Sequence, residues 1–280
     1  MNAADDTKQS PLVSIMMPAR NVAPVITDTI ASIKQQTYPH WELVFVDDGS
    51  TDDTVAVVSA LAQQDPRIKI YPLPHGGRGR ARNACIERMT GEFVAVCDAD
   101  DISFPERFEK QVHYLRNHPE IGAVGSHWIP FAGAKPDPCG PIRKFPTSSP
   151  ELRRAFSRQK MRFHNATVML RRSLYAEHGG YNVELRRAQD YEFFSRLSRR
   201  GVYFSGLDEP LLYYRQESSI PSIAYFLENG MYMAYADRLL AGKVGSFAVF
   251  DRSVAGNFWR IYYRAKYVYF YFKMLALRAA

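Results

Sequence analysis

Residues 92–101, Glu-Phe-Val-Ala-Val-Cys-Asp-Ala-Asp-Asp, set a short apolar run directly against three carboxylates within four positions. The run is β-branched at Val94 and Val96 and reads as a buried strand closed by an acidic turn. Asp98, Asp100 and Asp101 repel one another, and at the end of a core strand that repulsion costs stability unless a positive charge sits among them. A hard divalent cation meets the requirement. Mg²⁺ or Mn²⁺ takes oxygen ligands, commonly one or two carboxylates, with water and substrate phosphates completing the shell. A second reading has the same acids capping a helix suggested by Ser103-Phe104-Pro105-Glu106-Arg107-Phe108, because acids favour helix N-termini.

The chain before this stretch weighs against simple capping. A strand over residues 12–17 stops at Pro18-Ala19-Arg20-Asn21, and helical spacing follows through Val25, Ile26, Ile30 and Ile33. A second strand over 41–46 ends in Asp47-Asp48-Gly49-Ser50-Thr51-Asp52, and a helix continues through Val55, Val58 and Leu61. Residues 67–71 predict a third strand, 79–89 a third helix and 93–97 the fourth strand. This βαβα alternation predicts a parallel sheet with right-handed crossovers. Asp47, Asp48, Asp98, Asp100 and Asp101 then gather just beyond the carboxyl ends of two strands, the edge where open α/β sheets bind ligands.

The first strand is not followed by G-x-G-x-x-G, and G-x-x-x-x-G-K-[ST] occurs nowhere, which argues against a dinucleotide fold and a P-loop. What remains is a nucleotide site built on acids and a metal. Gly76-Gly77-Arg78-Gly79-Arg80-Ala81-Arg82-Asn83 forms a flexible cationic loop ahead of a helix. It reads equally as a base or phosphate contact and as an exposed turn. The formal net charge of +7 favours acidic partners. A nucleic-acid role would leave the acidic edge without a task, so none is expected.

Farther along, residues 105–117 predict a helix and 121–126 a strand, with a Pro- and Gly-rich surface loop over 130–150. Residues 164–170 read as a strand, and Arg171-Arg172 opens a helix ending at Gly179-Gly180. Phe193, Phe194 and Leu197 mark a helix whose first turn holds Asp190, a position where the helix dipole alone would favour an acid. A last strand covers 202–207. The three cysteines lack C-x-x-C spacing, and the histidines form no metal set and no H-E-x-x-H. Each histidine reads as an ordinary surface or satisfied residue. The polar start of the chain is unlike a signal peptide, and no window approaches the roughly 18 apolar residues of a spanning helix. A reducing, cytoplasmic location is expected.

Together these landmarks resemble the family 2 glycosyltransferases of the GT-A fold over residues 13–215. The motifs that carry the resemblance are Pro18-Ala19-Arg20-Asn21, Val46-Asp47-Asp48-Gly49-Ser50-Thr51-Asp52, Ala81-Arg82-Asn83, Asp98-Ala99-Asp100-Asp101, Gly179-Gly180-Tyr181, Gln189-Asp190 and Tyr214-Arg215. The resemblance implies a Rossmann-like, mostly parallel α/β sheet with helices on both faces over residues 11–217; outside it the sequence reads as a flexible tail over 1–10 and a C-terminal helical segment over 218–280. It places Pro18, Arg20, Asn21, Asp47, Asp48, Arg82 and Asp98 around a nucleotide-sugar donor, with UDP the commonest in the family. Asp47 or Asp48 would contact the base with Arg82 beside it, and Asp98 would face the ribose. Asp100, with Asp98, would hold Mn²⁺ or Mg²⁺ on the diphosphate, and Asp190 aligns with the catalytic base of an inverting transfer to a glycan or lipid-linked acceptor.

Two positions depart from the family's pattern: Gln189 replaces the Glu of its Glu-Asp pair, and Glu217 stands where many members carry a histidine. A sugar-phosphate nucleotidyltransferase is the competing class, but it would bring a Gly-rich basic loop after the first strand. The C-terminal stretch has no acid after Asp251, while Arg252, Arg260, Arg264, Lys266, Lys273 and Arg278 are cationic. With Phe258, Ile261, Tyr262, Ala265, Val268, Tyr269 and Phe272 on one helical face, it predicts peripheral attachment of residues 252–280 to the inner face of an anionic membrane. The alternative is packing of that face on the catalytic domain or on a second subunit of a homo-oligomer.

Overall fold

The computed structural model describes residues 10–133, 136–157, 164–216 and 222–252, with scattered positions between 258 and 269. In chain order its elements are β1 (Val13–Ala19), α1 (Ile26–Lys34), β2 (Trp41–Asp48), α2 (Thr54–Gln64), β3 (Ile68–Leu73), α3 (Arg78–Ile86), β4 (Phe93–Val96), β5 (Ile102–Ser103) and α4 (Arg107–Asn117). Next come β6 (Ile121–Ala132), β7 (Asp137–Pro138), α5 (Ser149–Ser157), a 3₁₀ turn (Asn165–Thr167), β8 (Met169–Arg171) and α6 (Ser173–His178). The last are α7 (Gln189–Arg199), β9 (Tyr203–Arg215), α8 (Ile223–Leu240) and α9 (Phe247–Arg252). Two compact units result, one of Met1–Gly180 with Gly201–Gln216 and one of Tyr181–Arg200 with Glu217–Ala280. In this division α7 groups with the C-terminal residues.

The first unit is organised on a sheet of strand order β3-β2-β1-β4-β8-β6-β9-β5, with β7 beside β6. Parallel ladders join β1 to β2 and β4, β2 to β3, and β6 to β9. The junctions of β8 with β4 and β6, and of β5 with β9, are antiparallel. Strands in the middle are covered on both faces, so β2 is buried at every position and β1 at nearly every one, which is why both read as continuous runs and not as alternations. Met16 carbonyl accepts the Cys97 N–H at 3.1 Å, so Met16 and Pro18 aim their backbone groups toward β4. The last β1–β4 pair is Met16 with Val96. The N–H that Pro18 lacks therefore falls where that ladder has ended, reconciling a proline with a central strand.

At nine residues α1 is too short to persist alone in water. Ile26, Ile30 and Ile33 bury one of its faces in a core with Phe45, Phe93, Phe108 and Leu115. Each such side chain contributes about 1.5–3 kcal/mol on burial, more than helix propensity supplies. At the amino-terminal edge of the sheet, Glu42 accepts hydrogen bonds from Ser14 (2.7 Å), Lys69 (2.7 Å) and both the N–H and the hydroxyl of Thr90 (2.8 Å each). Burial raises its carboxyl, but these donors more than offset that and hold it at about 2. The network ties β1, β2 and β3 to the turn before β4.

Past β4 the structure departs from the sequence reading. Residues 130–150 are not one surface loop. β6 continues to Ala132 and pairs with β7, Trp128 and Arg143 exchange backbone hydrogen bonds, and α5 begins at Ser149. Phe145 is buried against Gly125 and Gly206, which face each other across the β6–β9 ladder. A Cβ on Gly125 would lie 2.3 Å from the ring, and one on Gly206 2.6 Å from it, so the two glycines form the slot that the ring fills. The last strand runs over thirteen residues to Arg215, and the strand expected over 164–170 splits into the 3₁₀ turn and β8.

In the second unit α7 packs on α8. The Tyr191 hydroxyl donates to Asp237 at 2.8 Å, and Arg187 Nε donates to Glu228 at 2.6 Å with its guanidinium 4.0 Å from the Tyr225 ring. Burial first, and then Asp237, push the Tyr191 hydroxyl above its ordinary range. The basic-aromatic stretch predicted over 252–280 lies, beyond Arg252 and a few helical positions, outside the described residues, as does most of the tail predicted over 1–10. Among the described residues, no helix is long and apolar enough to cross a membrane.

Candidate active site

The loops that leave β1 and β2 are joined side by side. Asn21, in the left-handed region at φ 55°, donates its N–H to the Ser50 hydroxyl at 2.8 Å and accepts the Thr51 N–H on its side-chain oxygen at 2.8 Å. Val22 N–H donates to the Thr54 hydroxyl (2.8 Å), and Ala23 N–H to Asp52 (3.2 Å). An asparagine tolerates that backbone better than most residues, and its amide bonds across to the neighbouring loop. Arg20 is exposed, with Nε donating to the Gly49 carbonyl at 3.2 Å.

Asp47 and Asp48 are not beyond β2 but are its last two residues, both buried. Asp47 accepts the N–H of Ser50 at 3.0 Å and also its hydroxyl. Asp48 accepts the N–H groups of Gly76 (2.7 Å) and Gly77 (3.0 Å), and its Oδ2 lies 2.9 Å from His75 Nδ1. Each carboxylate thus folds a turn around itself. Arg82 is buried on α3, which packs on β1 and β2. Pro18, Arg20, Asn21, Asp47 and Asp48 therefore share one end of the β1–β2 pair.

In the acidic turn, β5 separates residues 98–101 from α4, whose N-terminal flank is Glu106 with no side-chain cap. The capping alternative is excluded by that order. Asp101 points inward: its Oδ1 accepts the Arg215 N–H at 2.9 Å, and its Oδ2 is buried without a hydrogen-bond partner. Burial, then the charges of Asp98 and Asp100, raise its carboxyl well above the ordinary range, with the Arg215 N–H and Arg107 opposing. Arg215 also donates Nε to the Asp100 carbonyl at 2.8 Å and Nη1 to the Gly133 carbonyl. Asp98 and Asp100 are only half-buried, and Asp98 accepts no side-chain hydrogen bond among the described residues.

A buried arginine adds positive charge behind the acidic turn. Arg107 is completely buried behind the turn and donates to the Val96 carbonyl (2.9 Å), Ser103 (3.1 Å) and Gln111 (3.3 Å). Its signal in the sequence was placement on the same helical face as Gln111 and Leu115. Among the described residues, no three His, Cys, Asp or Glu side chains are grouped to hold a metal by themselves. Two half-exposed carboxylates suit Mg²⁺ or Mn²⁺, which dehydrate reluctantly and take the rest of their shell from water and phosphate oxygens.

Asp190 lies in the first turn of α7, half-buried, with Oδ1 accepting the Tyr191 N–H at 2.9 Å. It belongs to the second compact unit. Ala188 before it adopts the left-handed region at φ 60°, turning the chain into the helix, and Gln189 beside it is buried.

The profile of Glycosyl transferase family 2 matches residues 14–179. The chain belongs to this family. It is 31% identical over 242 residues to the putative glycosyltransferase EpsE of Bacillus subtilis, covering 82% of this chain and 83% of that one. It is 32% identical over 194 residues to the amylovoran biosynthesis glycosyltransferase AmsE of Erwinia amylovora, covering 68% and 70%. Among solved structures, S. aureus TarS 1–349 in complex with UDP-GlcNAc superimposes with a TM-score of 0.65 at 21% identity, covering 92% of this chain and 80% of that one. The mannosyltransferase PcManGT from Pyrobaculum calidifontis, in complex with GDP-Man and Mn²⁺, gives a TM-score of 0.62 at 19% identity, covering 97% and 80%. The fold is GT-A, and the family 2 chain is a glycosyltransferase.

Proposed function

We propose that this glycosyltransferase moves a sugar from a UDP-sugar to a hydroxyl of a glycan or lipid-linked acceptor, with inversion and with help from a divalent cation, in cell-surface polysaccharide assembly. The observation that carries the reading is the pairing at one sheet edge of an inward-turned Asp101 with half-exposed Asp98 and Asp100. Both of those carboxylates reach the surface at that edge. The UDP-GlcNAc complex of TarS and the GDP-Man and Mn²⁺ complex of PcManGT support a nucleotide-sugar donor and a metal. The named role of the AmsE relative supports polysaccharide assembly.

In this mechanism Asp47 or Asp48 meets the nucleobase beside Arg82, with Pro18, Arg20 and Asn21 shaping the pocket from the β1 loop. Asp98 faces the ribose. Asp100 and Asp98 would hold the cation, which when bound would supply Lewis-acid stabilisation to the departing diphosphate. Arg107 and Arg215 keep the turn in place while charge gathers on it. Asp190 accepts the proton of the acceptor hydroxyl as it attacks the anomeric carbon from the opposite face. One base suffices because no covalent sugar intermediate forms, unlike a retaining hydrolase with two close carboxylates.

Proton NMR of the fresh product tests the stereochemistry: an α-linked UDP-sugar should give a β-linked product. Retention of configuration would refute the single displacement. Peripheral attachment through residues 252–280 completes the proposal by bringing the enzyme to a lipid-linked acceptor.

A further inference from the structure

The motifs account for Arg20 and Asp48 but not for the side chain between them. His75 lies in the turn that follows β3, with Nδ1 2.9 Å from Asp48 Oδ2 and Nε2 3.3 Å from Arg20 Nη1. A guanidinium has only donors, so Nε2 must accept. The proton of the neutral ring then sits on Nδ1 and is donated to Asp48. We infer that His75 is a positioning residue of the donor pocket: its neutral imidazole transmits the anchorage of Asp48 to Arg20 and holds the Arg20 guanidinium toward the nucleotide. This inference rests on the nucleotide reading of the β1–β2 edge.

The surroundings are built to hold the ring there. Asp48 accepts the next two backbone N–H groups, of Gly76 and Gly77, so the turn is fixed at three consecutive residues. Gly49 has φ +71°, and a Cβ on it would lie 2.7 Å from the His75 backbone nitrogen. Only glycine admits both that conformation and that approach. Arg20 is held from its other side by the Gly49 carbonyl at 3.2 Å. With Nε and one N–H of Nη1 engaged, Nη2 has no partner among the described residues and can meet a carbonyl or phosphate oxygen of the donor.

The test measures UDP binding to the full chain by calorimetry with Mn²⁺ present, for the wild type, His75→Gln and His75→Asn, with thermal unfolding as a check on folding. A glutamine amide reaches the position of Nε2 and keeps the Arg20 contact, whereas an asparagine amide reaches that of Nδ1 and keeps only the Asp48 contact. His75→Asn should weaken UDP binding about tenfold, the loss of one hydrogen bond to a charged group. His75→Gln should bind within about threefold of the wild type. Equal binding by wild type and His75→Asn, or binding weakened as much by His75→Gln as by His75→Asn, would overturn the positioning role and leave the nucleotide reading standing. Failure of the wild type to bind UDP or GDP would instead remove the nucleotide reading itself.

Discussion

Replacing Glu42 with glutamine should destabilise the sheet in a pH-dependent way. Folding holds this carboxyl at about 2 against an ordinary value of 4.5, a difference corresponding to about 3 kcal/mol. The glutamine oxygen can still accept from Ser14 or Thr90, but its amide nitrogen cannot accept from Lys69, whose exposed ammonium moderates the loss through solvent screening. At pH 7 the melting temperature of Glu42→Gln should lie roughly 5–10 °C below that of the wild type, at a few degrees per kcal/mol for a chain of this size. The sign follows from the depressed carboxyl: its contribution is complete above pH 4.5 and drains away as pH falls toward 2. At pH 3 the gap between the two proteins should shrink to less than about half its pH 7 value. Scanning calorimetry of both proteins at pH 7 and 3 measures it, and other groups that titrate in common cancel. A gap that stays constant between these pH values would show that the Glu42 carboxylate is not held down by its four donors.

Asp100→Asn should nearly abolish turnover and weaken Mn²⁺-dependent UDP binding in calorimetry, because an amide is a poorer cation ligand; full turnover in EDTA would contradict the metal role. Asp190→Asn should leave donor binding near normal and lower kcat by about 10²–10⁴, whereas lost donor affinity with kcat intact would reassign the residue to binding. Gly125→Val should expel the Phe145 ring from its slot and lower thermal stability by an amount typical of overpacking, about 1–3 kcal/mol; an unchanged melting temperature would mean the ring is not confined there. In flotation with anionic vesicles, the full chain should rise and a variant ending at residue 245 should stay at the bottom; equal failure of both would remove the membrane role of residues 252–280.

The parts of the fold that were legible in the sequence owe their pattern to burial alone. β1, α1 and β2 announce themselves because both faces of the strands and one face of the helix are covered, and the sequence has no freedom to say otherwise. The acidic turn at residues 98–101 was legible for the same reason, since charges directly after such a strand have to lie at its end. Phe145 was not, because the slot that receives it is made of Gly125 and Gly206, each unremarkable in its own strand. The length of β9 was hidden too: its residues beyond Leu207 are held by the register with β6, which continues through bulges near His127 to Phe131.

Within the site, the carboxylates could be named but not their orientation. Asp98, Asp100 and Asp101 are equivalent on paper, and only the Arg215 backbone N–H, 114 positions away, turns Asp101 inward. His75 gave no signal because its partners, Asp48 at the end of β2 and Arg20 in the loop after β1, are distant in sequence. Arg107 stood in the sequence only as part of the helix suggested by residues 103–108, yet it is completely buried behind the turn.

Incubating the full chain with a panel of UDP- and GDP-sugars and Mn²⁺, and identifying the nucleotide released, tests the central claim most directly. The account predicts slow release of the nucleoside diphosphate from one donor, suppressed by EDTA and by Asp100→Asn. Release of nucleoside monophosphate or pyrophosphate, or no release from any donor, would contradict it.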